Sequence, residues 1–79
     1  MLVDVKLFAT LQRYRPGVFA GQVFQVELPD GSTIADLIKH LEIRENEIKV
    51  TFVNGRARAE VYRLKSGDEV GIFPPVGGG

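Results

Sequence analysis

The fold is decided by the stretch at residues 68–79, which reads Asp68-Glu69-Val70-Gly71-Ile72-Phe73-Pro74-Pro75-Val76-Gly77-Gly78-Gly79. Residues 69–73 alternate polar or small side chains with apolar ones, a pattern typical of a half-buried strand. Two consecutive prolines follow, and proline has no N–H for a sheet ladder and a fixed φ. The sequence therefore predicts a final strand that ends at Phe73 and continues as a stiff, extended arm.

Beyond the arm the chain has Val76 and then Gly77, Gly78 and Gly79. Glycine has no Cβ to clash, so such a tail is thin enough to carry a terminal carboxylate into another protein's narrow active site. An inert, disordered tail has the same composition. We predict a domain over residues 1–76, arm included, and a flexible tail over residues 77–79.

Length and composition limit the classes of function that the chain can have. A chain of 79 residues makes one domain, and its ten acidic and ten basic side chains cancel. No basic excess points to nucleic acid or to an anionic membrane, and no apolar run approaches the roughly 20 residues of a membrane span. The chain has no cysteine, which excludes disulfides and thiolate chemistry and is compatible with the reducing cytoplasm, where we expect the protein. The opening residues carry no secretion signal.

Apolar patterning and turn signals predict an α+β fold. The predicted order is a strand at residues 2–8, a short helix at 9–14, a strand at 22–28, the main helix from Ser32 or Thr33 to about Glu42, and strands at 49–54, 56–60 and 69–73. Thr33 and Asp36 are spaced as a capping box, and Asn54-Gly55 indicates a hairpin turn. We therefore expect a mixed sheet of four to five strands crossed by one main helix.

The same patterns predict the core. The side chains expected to be buried are Val5, Leu7, Val26, Leu28, Ile34, Leu37, Ile38, Leu41, Val50, Phe52, Val70 and Ile72. Parity along the last strand places Phe73 on the opposite, outward face.

No catalytic or metal-binding pattern stands out within the domain. The single histidine, His40, lies off the apolar stripe of the main helix, and neither a nucleophile motif nor metal-ligand spacing accompanies it. The basic side chains between Arg56 and Lys65 are explained as ordinary solvated charge. The most plausible reactive group is therefore the Gly79 carboxylate.

Several motifs resemble one family. The end of the chain, with Phe73-Pro74-Pro75-Val76 before its glycines, is similar to the small subunit of molybdopterin synthase, MoaD. MoaD belongs with the thiamine-pathway carrier ThiS among ubiquitin-like sulfur carriers. The opening strand at residues 5–11, the helix start at 31–37 and the hairpin at 53–55 also resemble that family, in the expected order.

The resemblance implies a β-grasp fold, with the first and last strands parallel and central. It also implies a sulfur-carrier subunit that is not an enzyme alone and binds no cofactor. A ubiquitin-activating-like enzyme would spend ATP to adenylate Gly79, a sulfur donor would convert the adenylate to a thiocarboxylate, and the tail would enter the synthase large subunit to donate sulfur to a pterin precursor. We expect neither nucleic acid nor membrane as a partner.

The residues carried over from the family fall into two groups. The tail for active-site insertion is Val76, Gly77, Gly78 and Gly79, and the partner-binding residues are Phe73, Pro74, Pro75 and Ala57. We expect Phe73 to be an exposed aromatic anchor that inserts into an apolar pocket of the partner. Ala57 stands where some relatives have a bulkier apolar residue, which leaves the partner's identity open. Three alternatives remain: a ubiquitin-like modifier, a ThiS-like carrier and a β-grasp module with an inert tail.

Overall fold

Two parallel strands form the centre of the sheet. In a computed structural model, which describes residues 1–75, β1 (Leu2–Leu7) pairs in parallel with β5 (Glu69–Phe73). The prediction that the first and last strands are central neighbours is confirmed. The tail residues Val76, Gly77, Gly78 and Gly79 lie outside the described residues, so the predictions for them stay predictions.

The other strands add to both sides of this pair. Strand β2 (Phe24–Glu27) pairs antiparallel with β1, and β3 (Val50–Val53) pairs antiparallel with β5 and with β4 (Arg56–Ala57). The five-stranded sheet has the order β2-β1-β5-β3-β4. The predicted α+β, mixed-sheet class is confirmed, although β2 and β4 are shorter than residues 22–28 and 56–60.

The two predicted helices are present, although the main helix ends two residues before the predicted Glu42. A 3₁₀ helix covers Ala9–Tyr14, helix α1 covers Ile34–His40, and a second 3₁₀ turn covers Glu45–Glu47, where the sequence indicated a loop. The capping box at the start of α1 is confirmed: Thr33 N donates to Asp36 Oδ2 over 2.9 Å, and Asp36 N donates to Thr33 Oγ1 over 3.2 Å. The bond from the Thr33 backbone, then that from its hydroxyl, holds the pKa of Asp36 below its ordinary value.

The core lies between α1 and the inner face of the sheet. Its fully buried side chains come from β1, β5, α1 and the first 3₁₀ helix: Val3, Val5, Leu7, Leu11, Ile34, Leu37, Val70 and Ile72. Ten of the twelve predicted core residues are buried, and the exceptions are Val50 and Phe52.

The predicted facing of β3 was wrong. Thr51 and Val53 point into the core, and Val50 and Phe52 are half-buried on the outer face. The register sets this parity, because Thr51 pairs with buried Ile72 and Val53 pairs with buried Val70. Thr51 is tolerated inside because its hydroxyl donates to the Arg58 carbonyl over 2.7 Å.

The β3–β4 hairpin is fixed to the turn that precedes β5. Asn54 and Gly55 have φ of 52° and 84°, as a two-residue hairpin turn requires. The Asn54 side chain donates to Asp68 Oδ1 over 2.9 Å and accepts from Glu69 N over 2.9 Å. These bonds hold the start of β5 and therefore the direction in which the strand delivers its C-terminal end.

Candidate functional site

Three phenylalanines form a cluster on the outer face of the sheet, opposite α1. Phe8 and Phe73 stack with ring centroids 4.1 Å apart and planes within 5°, and Phe52 meets Phe73 edge-on at 5.5 Å. All three are half-buried. We call Phe8, Phe52 and Phe73 the aromatic cluster. Stacked and edge-to-face pairs are the favoured aromatic geometries, so the three rings stabilise one another on this face.

The strand register explains why these rings meet. Leu7 pairs with Ile72 in the parallel β1–β5 ladder, so Phe8 and Phe73, one residue beyond each, come side by side. Phe52 pairs with Gly71, two residues before Phe73 on β5, so the Phe52 ring lies diagonal to Phe73 on the same face of the sheet.

A groove of about 240 Å³ lies beside the cluster, with Gly71 among its lining residues. A Cβ built on Gly71 would lie 3.3 Å from Phe8 Cε2 and 3.4 Å from Phe73 Cε1. At the other end of the groove, Lys6 Nζ pairs with Glu69 Oε1 over 3.3 Å. The groove therefore has aromatic walls and an ion pair at one end.

The sheet ladder ends at the base of the arm. Lys49 N donates to the Phe73 carbonyl over 2.8 Å and Phe8 N donates to the Ile72 carbonyl over 3.2 Å. Pro74 is half-buried and Pro75 is exposed, and neither is in a strand. The prediction that the strand stops at the two prolines is confirmed, and the arm starts next to the aromatic cluster.

Two of the sequence-predicted contact residues, Phe73 and Ala57, lie on the outer face of the sheet, and Pro74 and Pro75 follow directly after β5. Phe73 points outward, as its parity predicts, and Ala57 is exposed opposite Phe52. The expectation that Phe73 is an exposed aromatic was wrong, because its ring is half-buried against Phe8 and Phe52. Whether Phe73, Pro74, Pro75 and Ala57 bind a partner stays a prediction.

Sequence reasoning missed Phe8, Phe52 and Gly71 as parts of the site. The signal for Phe8 was available, because Asp4 and Lys6 already mark the outer face of β1 and Phe8 shares their parity. Phe52 was assigned to the core, and the space over Gly71 appears only once the strand register is known.

Chemistry within the described domain is sparse. Over residues 1–75 no three histidine, aspartate or glutamate side chains converge as metal ligands, and His40 is exposed at the end of α1. In the same part of the chain, no helix is both long and apolar enough to cross a membrane. The described residues thus provide a half-buried aromatic cluster beside a strand that leads into Pro74 and Pro75.

Comparison with known proteins decides the family. The model of the ThiS family matches residues 5–79. The chain belongs to the ThiS family. No curated protein sequence matches it significantly. The resemblance seen in the sequence is thus confirmed, and the chain is a ubiquitin-like sulfur carrier of the ThiS and MoaD type.

Solved structures agree with this assignment. The putative molybdopterin converting factor subunit 1 of Pyrococcus furiosus is 31% identical with a TM-score of 0.74, and the match covers 96% of this chain and 99% of that one. SAMP1 of Haloferax volcanii is 25% identical with a TM-score of 0.73 and full coverage of both chains. Subunit 1 in the complex of subunits 1 and 2 of molybdopterin-converting factor from Helicobacter pylori has the same fold. That match is 21% identical with a TM-score of 0.63, again over both whole chains.

Proposed function

We propose that this ThiS-family chain is the sulfur-carrying small subunit of molybdopterin synthase. One observation carries the proposal: β5 ends in the Pro74-Pro75 arm directly beside a half-exposed aromatic cluster. A protein that takes up the tail must therefore lie against this apolar surface. The 31% identity to a putative molybdopterin converting factor subunit 1 supports the choice of pathway.

The proposed chemistry takes place at Gly79. A carboxylate resists nucleophiles, and transfer of AMP from ATP, with loss of pyrophosphate, converts it to a mixed anhydride with a good leaving group. Sulfide supplied by a donor then attacks the carbonyl carbon, displaces AMP and leaves a thiocarboxylate. The large subunit uses this thiocarboxylate to place sulfur on a pterin precursor, and the Gly79 carboxylate is regenerated. The adenylating enzyme consumes the ATP, and the carrier domain holds no cofactor of its own.

The described domain contributes delivery. It offers no cluster of acid and base groups at the arm, so its part in the reaction is to bring the reacting carboxylate to the partner's active site and to hold it there. Such positioning converts an encounter between two molecules into a reaction within one complex. The rigid strand, the two prolines and the aromatic cluster fix where the tail starts.

A protein modifier is the second candidate, because small archaeal modifier protein 1, SAMP1, of Haloferax volcanii matches the whole chain at 25% identity. A modifier would form an isopeptide bond between Gly79 and a lysine of another protein. Both functions use an adenylated carboxylate, so the domain does not distinguish them. The ThiS family match likewise supports a thiamine-pathway carrier as a third destination for the sulfur.

Deletion of Gly78 and Gly79 tests the proposal. The deletion should leave the thermal midpoint of the domain nearly unchanged. It should abolish adenylation, sulfur loading and pterin conversion in a mixture with adenylating enzyme, ATP, sulfide, large subunit and pterin precursor. The matched control is Lys39→Ala, on the solvent-facing side of α1, which should keep both stability and activity. Sulfur transfer by the deletion variant would refute a carrier role for the tail.

A further inference from the structure

Gly71 occupies the central position of the outer face, and nothing in its backbone requires glycine. It lies inside β5 and is absent from the residues with positive φ. Glycine inside a strand costs stability and often marks a place where another group approaches closely. The space over Gly71 is therefore the property that distinguishes this position.

Long side chains surround that space on all sides. Lys6 and Phe52 are the cross-strand neighbours of Gly71, and Glu69 and Phe73 precede and follow it on the same face of β5. A row of side chains with a gap at its centre forms a hole. Part of that hole admits the stacked Phe8 and Phe73 rings, and the remainder is the groove.

Phe73 is a wall of this groove. Its ring is stacked against Phe8 and is in edge contact with Phe52, so insertion of the whole ring into a partner's pocket would break both contacts. From this we infer that the groove over Gly71 receives one large apolar side chain from the synthase large subunit. The inference rests on the proposed function and reverses the expectation that Phe73 is the inserted group.

The reach of the tail favours this occupant. Six residues follow Phe73, and a fully extended chain spans about 3.3–3.6 Å per residue, so the reacting carboxylate lies within about 20 Å of the groove. A subunit that encloses Gly79 must therefore cover the nearby face of the sheet. The Lys6–Glu69 pair has no net charge, and the remaining lining consists of the three aromatic rings with Gly55 and Gly71, which favours an apolar side chain.

Filling the groove is the direct test. Gly71→Val adds a branched side chain that suits a strand. Gly71→Ala adds one methyl group, for which the half-buried Phe8 and Phe73 ring edges must shift by a few tenths of an ångström. The matched control is Gln25→Val, an exposed position on the same face of β2. Each protein is titrated calorimetrically with the synthase large subunit of the same organism, after amide NMR spectra have shown that it is folded.

We expect Gly71→Val to weaken binding at least tenfold, Gly71→Ala to weaken it less, and Gln25→Val to bind like wild type. If the wild type binds and both Gly71 variants bind equally well, the groove inference is wrong while the proposed function stands. If the wild type does not bind the large subunit, both fail. Sedimentation that shows a wild-type dimer abolished by Gly71→Val would mean that a second copy occupies the groove, and would overturn the assignment to the large subunit.

Discussion

Replacing Phe73 by alanine should affect both folding and partner binding, because its ring has two neighbours in the free domain. The Phe8 ring stacks on it at 4.1 Å and the Phe52 ring meets it at 5.5 Å. Aromatic pairs of this kind contribute about 0.5–1.5 kcal/mol each. The two ring pairs alone should therefore make Phe73→Ala lower the free energy of unfolding by about 1–3 kcal/mol, and the lost burial of the half-buried ring adds to this. The free energy of unfolding of a native protein is about 5–15 kcal/mol, so the variant should remain folded at room temperature.

Phe73→Ala should also weaken partner binding. Removing a central aromatic from an interface commonly costs about 2 kcal/mol or more, which is roughly a thirtyfold loss of affinity. Without the Phe73 ring, the groove loses one wall, and the arm at Pro74 no longer starts beside a packed aromatic ring. Urea unfolding measures the first effect, and calorimetric titration with the synthase large subunit measures the second.

Two variants control this experiment. Phe19→Ala removes the same ring from a loop where it is 80% exposed, so it should leave the free energy of unfolding almost unchanged. Lys39→Ala, on the far side of the sheet, should leave the affinity unchanged. Equal affinities for wild type and Phe73→Ala would refute the aromatic cluster as the interface, and equal stabilities would refute the contribution of the ring stack to folding.

Three further predictions concern the scaffold. Leu37→Ala, at a fully buried position of α1, should lower the free energy of unfolding by about 2–5 kcal/mol in urea; a value near zero would contradict the helix placement. Asn54→Gly loses the hydrogen bonds to Asp68 and Glu69 but still favours the positive φ of the turn. Asn54→Ala loses the hydrogen bonds and also disfavours the positive φ, so it should lower the thermal midpoint more than Asn54→Gly does. The reverse order would be inconsistent with this hairpin. Because the pKa of Asp36 is lowered, the Asp36 carboxylate makes its full contribution to stability above the ordinary value of 3.8, and that contribution disappears as the pH falls through the lowered value. Unfolding measured over a series of pH values should show that the stability advantage of wild type over Asp36→Asn shrinks only in that acidic range.

Local signals were sufficient for much of the fold. The last strand, the capping box at Thr33 and the Asn54-Gly55 turn were predictable because each depends on neighbouring residues and on backbone chemistry. The parity of β3 was not, because Val50-Thr51-Phe52-Val53 has an apolar residue on both faces. Its facing depends on register with β5 and on a bond from the Thr51 hydroxyl to a residue seven positions away.

The site divides in the same way. Phe73 and the two prolines were predictable from one strand and its end. The aromatic cluster depends on the pairing of β1 with β5, which come from opposite ends of the chain. The groove depends in addition on the pairing of Gly71 with Phe52 on the neighbouring strand β3. Long-range register of this kind is not encoded in any short stretch, so the sequence indicated one wall of the site and not its shape.

The most direct test of the central claim, that Gly79 carries sulfur, is mass spectrometry of the C-terminal peptide of the protein isolated from the cells that make it. We predict a peptide that ends at Gly79 and is heavier than the free acid by the replacement of one oxygen with sulfur, and that loses this sulfur when the large subunit and pterin precursor are added. A Gly79 found only as free acid, or joined by an isopeptide bond to lysines of other proteins, would contradict the account.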